Sequence, residues 1–274
     1  MNTLCKIADV SRSGYYAWLG ASQTRTEREE QDYEDYELIN KIFVKKSRKA
    51  GWRTIKMDLE NDHNTVMNHK KIRRIMNRFG LIAKVRRSKP YRKLMKATQE
   101  HKTAPNLLRR KFDEQVPQRV LLTDITYLYF AKGQKAYLSA VKDLASREIL
   151  AYHVSNSLEM NLVYRTLDKL SDVIKDNPHP ELMLHSDQGF HYTNPVFQHK
   201  LKQMQITQSM SRRGNCLDNA PMESFFGHMK DEISLKDITS LSELKSLISN
   251  YIYDYNFNRY QWTLKKMTPV QYRD

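Results

Sequence analysis

The chain has 274 residues, 40% of them hydrophobic, and carries 46 Lys and Arg against 31 Asp and Glu, for a net charge of +15. That length and composition leave room for one large or two smaller domains with an ordinary core, and no stretch is apolar for long enough to span a membrane. The two cysteines, Cys5 and Cys216, are far apart and lack CxxC spacing, and the first residues lack a secretion signal. These features exclude a disulfide framework and a cysteine-built zinc module, and fit a reducing cytoplasm.

The charge is uneven. Residues 1–115 hold 27 Lys and Arg against 14 Asp and Glu, whereas residues 116–274 hold 19 against 17. An excess of positive charge confined to one part points to a polyanion, most simply nucleic acid. In chain order, SRSGYYAWL opens a short helix near Ser11 or Ser13, with Tyr15, Tyr16 and Trp18 packed together. Residues 24–49 read as one long helix, with Tyr33, Tyr36, Leu38, Ile39, Ile42 and Phe43 near helical spacing between charges. Gly51 and Trp52 break it, and a shorter helix follows through Ile55, Met57 and Leu59. Residues 66–80 form the clearest helix of this part, starting at Val66 or Asn68 and stopping at Gly80, with Ile72, Ile75, Met76 and Phe79 as its apolar stripe. Its other face carries Lys70, Lys71, Arg73, Arg74 and Arg78, and residues 70–96 hold twelve Lys or Arg and no acid. Two short helices, the second basic on its open face, match a helix-turn-helix that reads DNA. The arm 84–96, with Arg86 and Arg87, would track phosphates. Residues 1–96 are therefore read as a helical DNA-binding region and 97–117, with Pro105, Pro117 and no period, as a linker.

A strand, VLLTDITYLYF, then occupies 120–130, with one acid, Asp124, in its middle. Such an acid needs a partner or a cation. Strands at 135–143 and 149–155 extend this into an antiparallel meander, and an amphipathic helix covers 158–174. A short strand at 181–185 leads into Ser186-Asp187-Gln188-Gly189, where Gly189 is read as permitting a sharp exit. A helix near 195–203, a strand near 205–209, the polar loop SRRGNCLDNAP, a helix from 219 to about 231 and another over 240–255 follow, before a polar tail. Three strands, a helix, a fourth strand and then more helix and strand is the order of a ribonuclease-H-like α/β fold over 118–235, with 236–274 as a helical extension. In that fold the first and fourth strands are neighbours, so Asp124 and Asp187 approach, and Glu223 on the later helix reaches the same spot. Three carboxylates together suit two hard divalent cations, Mg²⁺ or Mn²⁺.

VLLTDITYL, LHSDQGFHYT and SMSRRGNCLDNAPMESFFGHMK resemble the catalytic core of the IS3-family insertion-sequence transposases, the OrfB product, within the DDE transposase and retroviral-integrase group. The spacing of 35 residues between Asp187 and Glu223, and Lys230 seven positions after the Glu, fit that family's pattern. The front and the tail, YIYDYNFNRYQWTLKKMTPVQY, are similar to it as well. Departures fall at Val120-Leu121-Leu122, Leu217 and Gln261, away from the carboxylates. The resemblance implies Asp124, Asp187 and Glu223 as catalytic metal ligands, two ions per site, and cleavage and strand transfer at inverted-repeat ends. It implies DNA contacts from Lys230, and Arg212 and Arg213 in the polar loop are read as contacts to the DNA strand. It also implies an OrfA partner or OrfAB fusion, a homo-oligomer on DNA, and work in the bacterial cytoplasm at the nucleoid. Two other classes share parts of this pattern: a catalytically silent DNA-binding regulator, and a ribonuclease-H-type nuclease acting on hybrids.

Overall fold

The computed structural model describes residues 5, 7–83, 103–176, 178–212 and 216–274. The basic arm with Arg86 and Arg87, and Arg213 in the polar loop, lie outside the described residues. Two compact units divide the chain, residues 1–85 and 86–274.

The first unit is helical: α1 (Arg12–Gly20), α2 (Ser22–Lys45), α3 (Trp52–Asp62) and α4 (His69–Arg78). Ser11 caps α1 by accepting the Gly14 N–H at 3.0 Å, and Asn68 caps α4 by accepting the Lys70 N–H at 2.8 Å. Of the two expected starts for α4, Asn68 is therefore the one used. Trp52 begins a helix after Gly51 rather than only ending one. Gly80 ends the α4 turn at φ +68°, a conformation that suits glycine. Ile39, Ile42 and Phe43 of α2, Ile55 and Leu59 of α3, and Ile72, Ile75 and Met76 of α4 meet in one core. Tyr36 stacks on Phe79 at 4.1 Å.

The second unit is a five-stranded mixed sheet in the order β3-β2-β1-β4-β5, made of β1 (Val120–Phe130), β2 (Gln134–Asp143), β3 (Ile149–Ser155), β4 (Met183–Ser186) and β5 (Thr207–Met210). β1, β2 and β3 pair antiparallel, whereas β1–β4 and β4–β5 pair parallel. One face is covered by α5 (Met160–Ile174) and α7 (Pro195–Gln203), through Val163, Leu167, Leu170, Phe197 and Leu201 against Leu121, Val141 and Leu184. A short turn of helix, α6 (Phe190–Thr193), precedes α7. The other face is covered by α8 (Ala220–Glu232) and α9 (Leu241–Phe257), whose Met222, Phe225, Phe226, Met229, Leu244 and Ile248 pack on Val120, Leu122, Leu128 and Leu138. Strand alternation explains this division, since even and odd residues of β1 point to opposite faces.

One expectation needs correction. Residues 104–112 are not a free linker. Leu108 is buried in the core, the Leu107 and Leu108 N–H groups donate to Ser209 Oγ at 3.0 and 3.3 Å, and the Met210 N–H donates to the Pro105 carbonyl. The segment lacks a period because backbone and isolated side chains anchor it, not a repeating face. The polar tail is part of the helical extension expected over 236–274. Thr268 and Gln271 form a capping box on α10 (Pro269–Arg273), and Arg273 donates to both oxygens of buried Glu148 at 2.9 Å. Nearby, Asn256 bonds both the N–H and the carbonyl of Ile149 at 3.0 Å. No helix among the described residues is long and apolar enough to cross a membrane.

Candidate active site

The parallel register of β1 and β4 ends at Leu122 opposite His185. Two residues further on each chain lie Asp124 and Asp187, level with one another and on the face that α8 covers. Asp124 Oδ1 accepts its neighbour's Ile125 N–H at 2.8 Å, and Asp187 Oδ1 accepts the Gly189 N–H at 2.9 Å. A Cβ at Gly189 would stand 2.9 Å from that same Asp187 oxygen. Glycine is therefore needed for room beside the carboxylate, not for an unusual turn, because its φ is an ordinary −64°.

Glu223 sits in the first turn of α8. Two bonds hold that end of the helix to the sheet. Asn219 Nδ2 donates to the Thr123 carbonyl at 3.1 Å, next to Asp124, and Lys142 Nζ donates to the Pro221 carbonyl at 3.2 Å while lying 5.7 Å over the Phe225 ring. The side chain of Glu223 is exposed, whereas Asp124 and Asp187 are half-buried. Asp124 and Asp187 thus stand together and Glu223 at the rim. Among the described residues no three His, Cys, Asp or Glu side chains converge on one point as a closed ligand set. Like charges without a counter-ion stay apart.

The electrostatics still tie the group together. Burial, then the Asp187 carboxylate, push the Asp124 carboxyl up to about 8; Glu223 adds to this, and the Ile125 N–H and Lys230 oppose it. Burial also raises Asp187, against the pull of the Gly189 N–H and of His191, and burial raises Glu223. Tyr192, wholly enclosed, is raised first by burial and then by Asp124 and Asp187, and its hydroxyl lies 3.4 Å from Thr123 Oγ1, next to Asp124 along β1. An oxygen-donor cluster with so little compensating positive charge is chemically suited to a hard divalent cation.

The flanking residues are mostly structural. His185 Nδ1 and Ser209 Oγ share a 2.8 Å bond, and burial depresses the imidazole to about 4, so it stays neutral. His191 Nε2 meets the Leu158 carbonyl at 2.8 Å. Arg212 is committed elsewhere: its N–H and guanidinium donate to Asp218 at 2.9 to 3.1 Å. Asp218 also accepts Arg110 Nε at 2.6 Å and Asn106 Nδ2 at 3.1 Å, and it is fully buried at 0% exposure. Asp218, Asn219 and Lys142 were missed from sequence. The only available signal was their place just before the Glu223 helix, or inside a strand, as polar residues.

Three of the five cations of the basic helix pair with acids of α2 while their side chains stay part-exposed. Arg74 holds Asp32 bidentately, with NH2 to Oδ1 at 2.7 Å; Arg78 reaches Asp32 at 3.2 Å and Glu29 at 3.4 Å; Lys71 pairs with Asp35. The Arg74 guanidinium holds the Asp32 carboxyl below the usual range. Lys70 and Arg73 are left exposed, their side chains in no ion pair among the described residues.

A mixed sheet with level carboxylates in the middle of its first strand and just past its fourth, followed by a third acid on a crossing helix, defines an integrase-type core. The sequence families that match agree: Integrase core domain over residues 114–216, a second Integrase core domain over 204–269, and HTH-like domain over 30–89. InsK, named as a transposase of insertion sequence element IS150 in Escherichia coli K12, is 37% identical over 278 residues, covering 100% of this chain and 93% of that protein. A transposase-like protein of Haemophilus influenzae is 40% identical over 208 residues, 76% of this chain and 93% of that one. The transposase InsF of IS3A in Escherichia coli K12 is 27% identical, covering 96% and 90%. The chain belongs to the IS3-family insertion-sequence transposases. Among solved structures, the HTLV-2 integrase catalytic core domain in complex with magnesium is similar at a TM-score of 0.45 and 18% identity, over 58% of this chain and 98% of that one.

Proposed function

We propose that this transposase cleaves one DNA strand at the end of its insertion sequence and joins the freed end to another phosphodiester, using divalent metal ions held by Asp124, Asp187 and Glu223. The observation that carries this reading is the pair of level carboxylates in β1 and just past β4, where burial and then the Asp187 carboxylate push the Asp124 carboxyl up to about 8. Mg²⁺ or Mn²⁺ bound there, two ions per site, supplies Lewis-acid stabilisation of the attacking and leaving oxygens. In cleavage, a water oxygen bonds to phosphorus as the phosphorus–O3′ bond breaks; the water gives up a proton and the O3′ gains one. In transfer, that 3′-hydroxyl oxygen bonds to the phosphorus of a second phosphodiester as the phosphorus–O3′ bond there breaks; the hydroxyl gives up its proton and the departing O3′ gains one. Neither step needs a covalent protein intermediate.

The remaining residues bind and orient. Lys230 lies two turns beyond Glu223 on α8 and faces the same group, so it contacts the DNA held there. Arg213 and the arm with Arg86 and Arg87 add phosphate contacts. Lys70 and Arg73 are the cations of α4 that meet DNA, while Lys71, Arg74 and Arg78 brace the helix against α2. An OrfA partner or fusion, and self-association on DNA, complete the working complex at the bacterial nucleoid.

The test is strand transfer on oligonucleotides carrying the element's end sequence. Glu223→Gln is expected to lower the rate by on the order of 10²-fold or more with Mg²⁺ while DNA binding persists. Undiminished activity would remove Glu223 from the reaction. Replacing Lys70 and Arg73 together with Ala should reduce the slope of log affinity against log salt by about two, one for each phosphate contact. Arg74→Ala should instead lower thermal stability, because it strips a buried carboxylate of its main partner. Anisotropy titrations over a salt series and melting curves separate the two effects.

A further inference from the structure

The β1–β2 hairpin runs on past the end of β4, and its two faces are unlike. One face is core: Leu128, Phe130, Ala136 and Leu138 are buried under α8 and α9. The other carries Tyr127 and Tyr129, which are 53% and 58% exposed, far more than a sheet residue facing a core. Strand alternation and the pairs Tyr127–Tyr137, Tyr129–Lys135 and Tyr137–Ser155 set five residues side by side on this open face, and none is an acid. The Tyr127 and Tyr137 rings meet edge to face at 5.8 Å, and Lys135 Nζ lies 5.9 Å over the Tyr129 ring. Ring orientations are thereby fixed before any ligand arrives.

We propose that this tyrosine face is a stacking platform for bases of the DNA strand that enters the active site. The inference rests on the chain being a transposase, and goes beyond its carboxylate chemistry. Three observations favour a nucleic acid strand over another occupant. Exposed aromatic rings on a rigid sheet stack bases of any sequence, and a neighbouring cation without a nearby acid suits the phosphates between them. The platform lies on the opposite face of the sheet from the site, with Tyr127 three residues along β1 from Asp124, roughly 10 Å, so a strand of a few nucleotides that rounds the β1 edge reaches both. Finally, among the described residues no strand pairs with β1 on its β4 side beyond Leu122, so the stretch of edge past the Asn219–Thr123 bond is not occupied by a paired strand. Bases have to leave the duplex stack near a cleaved end, and a surface that accepts their faces would hold them there.

The experiment uses the full chain and a generic DNA duplex with a single-stranded 3′ tail containing 5-iododeoxyuridine, which crosslinks to stacked aromatic rings on illumination. The crosslinked peptide is expected to contain Tyr127, Tyr129 or Tyr137. Tyr127→Thr with Tyr129→Thr should weaken binding of the tailed duplex by roughly tenfold or more, since each stacked base contributes about a fivefold factor or greater, and should leave the affinity for blunt duplex nearly unchanged. Tyr127→Phe with Tyr129→Phe keeps the rings and should bind as the parent does. Crosslinks confined to other peptides, or Phe variants as weak as Thr variants, would overturn the proposal. So would a Thr variant whose only change is a smaller sedimenting species without DNA, because the face would then join copies of this chain. None of these readouts needs catalysis. A protein that fails to cleave with any metal yet crosslinks through these tyrosines would count against the carboxylate reading alone.

Discussion

Asp124→Asn is expected to abolish strand cleavage and strand transfer, by on the order of 10³-fold or more, while the fold becomes no less stable. The rate loss follows from the role proposed for Asp124 as a ligand, whose loss would remove several kcal/mol of stabilisation of developing charge, at about 1.4 kcal/mol per tenfold. The stability expectation follows from the sign of the shift. Asp124 has a folded-state value raised to about 8 from an ordinary carboxylate value, because burial and Asp187 disfavour its charge. Without metal, its ionisation therefore costs the folded state increasingly as pH rises from the ordinary carboxylate range to about 8. Asn removes that cost. Proton and ion also compete for the same oxygens, so Mg²⁺ affinity should climb with pH up to about 8 and level off above it. Calorimetric Mg²⁺ titrations from pH 6 to 9, beside melting curves of the variant, check both points. A flat pH dependence of Mg²⁺ binding would show that Asp124 is not a ligand.

Asp218→Ala should have the largest effect on stability, a loss of about 2–4 kcal/mol. Removing one partner from a fully buried ion pair costs about 3–5 kcal/mol, and the part-exposed Arg110 and Arg212 recover some hydration. The loss is larger than for an exposed pair because Asn106 and the Arg212 N–H lose their acceptor too. Activity should fall with it, since residue 218 directly precedes the Asn219 bond that holds the Glu223 helix to β1. Here the sign is the opposite of that for Asp124. Arg212 and Arg110 hold the Asp218 carboxyl well below the usual range, so its contribution is complete at neutral pH and is lost only as pH falls through the strongly acid region. Denaturant titrations at pH 7 and pH 3 should show the gap between parent and variant persisting at the first and narrowing well below the second.

What could be read from the chain alone was whatever repeats locally. The strand around Asp124, the meander after it and the helix carrying Glu223 all follow short-range periodicities, and their order alone points to the neighbouring strands that set Asp124 beside Asp187. What could not be read were pairings across long separations. Asp32, Asp35 and Glu29 looked like the wet side of a long helix, and Arg74, Arg78 and Lys71 like a DNA surface. Only the packing of α2 against α4, some forty residues apart, turns the two sets toward each other. Asp218 looked like one more polar loop residue for the same reason, because its partners at Asn106 and Arg110 lie in a stretch with no pattern of its own. The rim position of Glu223 was equally hidden, since spacing fixes where a helix begins but not how far a free carboxylate stands from two others.

The parallel register between Leu122 and His185 has one more implication. Both aspartates hang two residues beyond that last matched pair, so each connecting dipeptide acts as a fixed spacer. Adding or deleting a single codon between 122 and 124 would rotate Asp124 and also turn Leu128 and Phe130 out of the core, whereas one inserted between Ser186 and Asp187, past the end of β4, would rotate that carboxylate alone to the opposite side of the sheet. Insertions of that kind should yield folded, DNA-binding, inert copies of the enzyme, the form in which an insertion sequence lingers in a genome without moving.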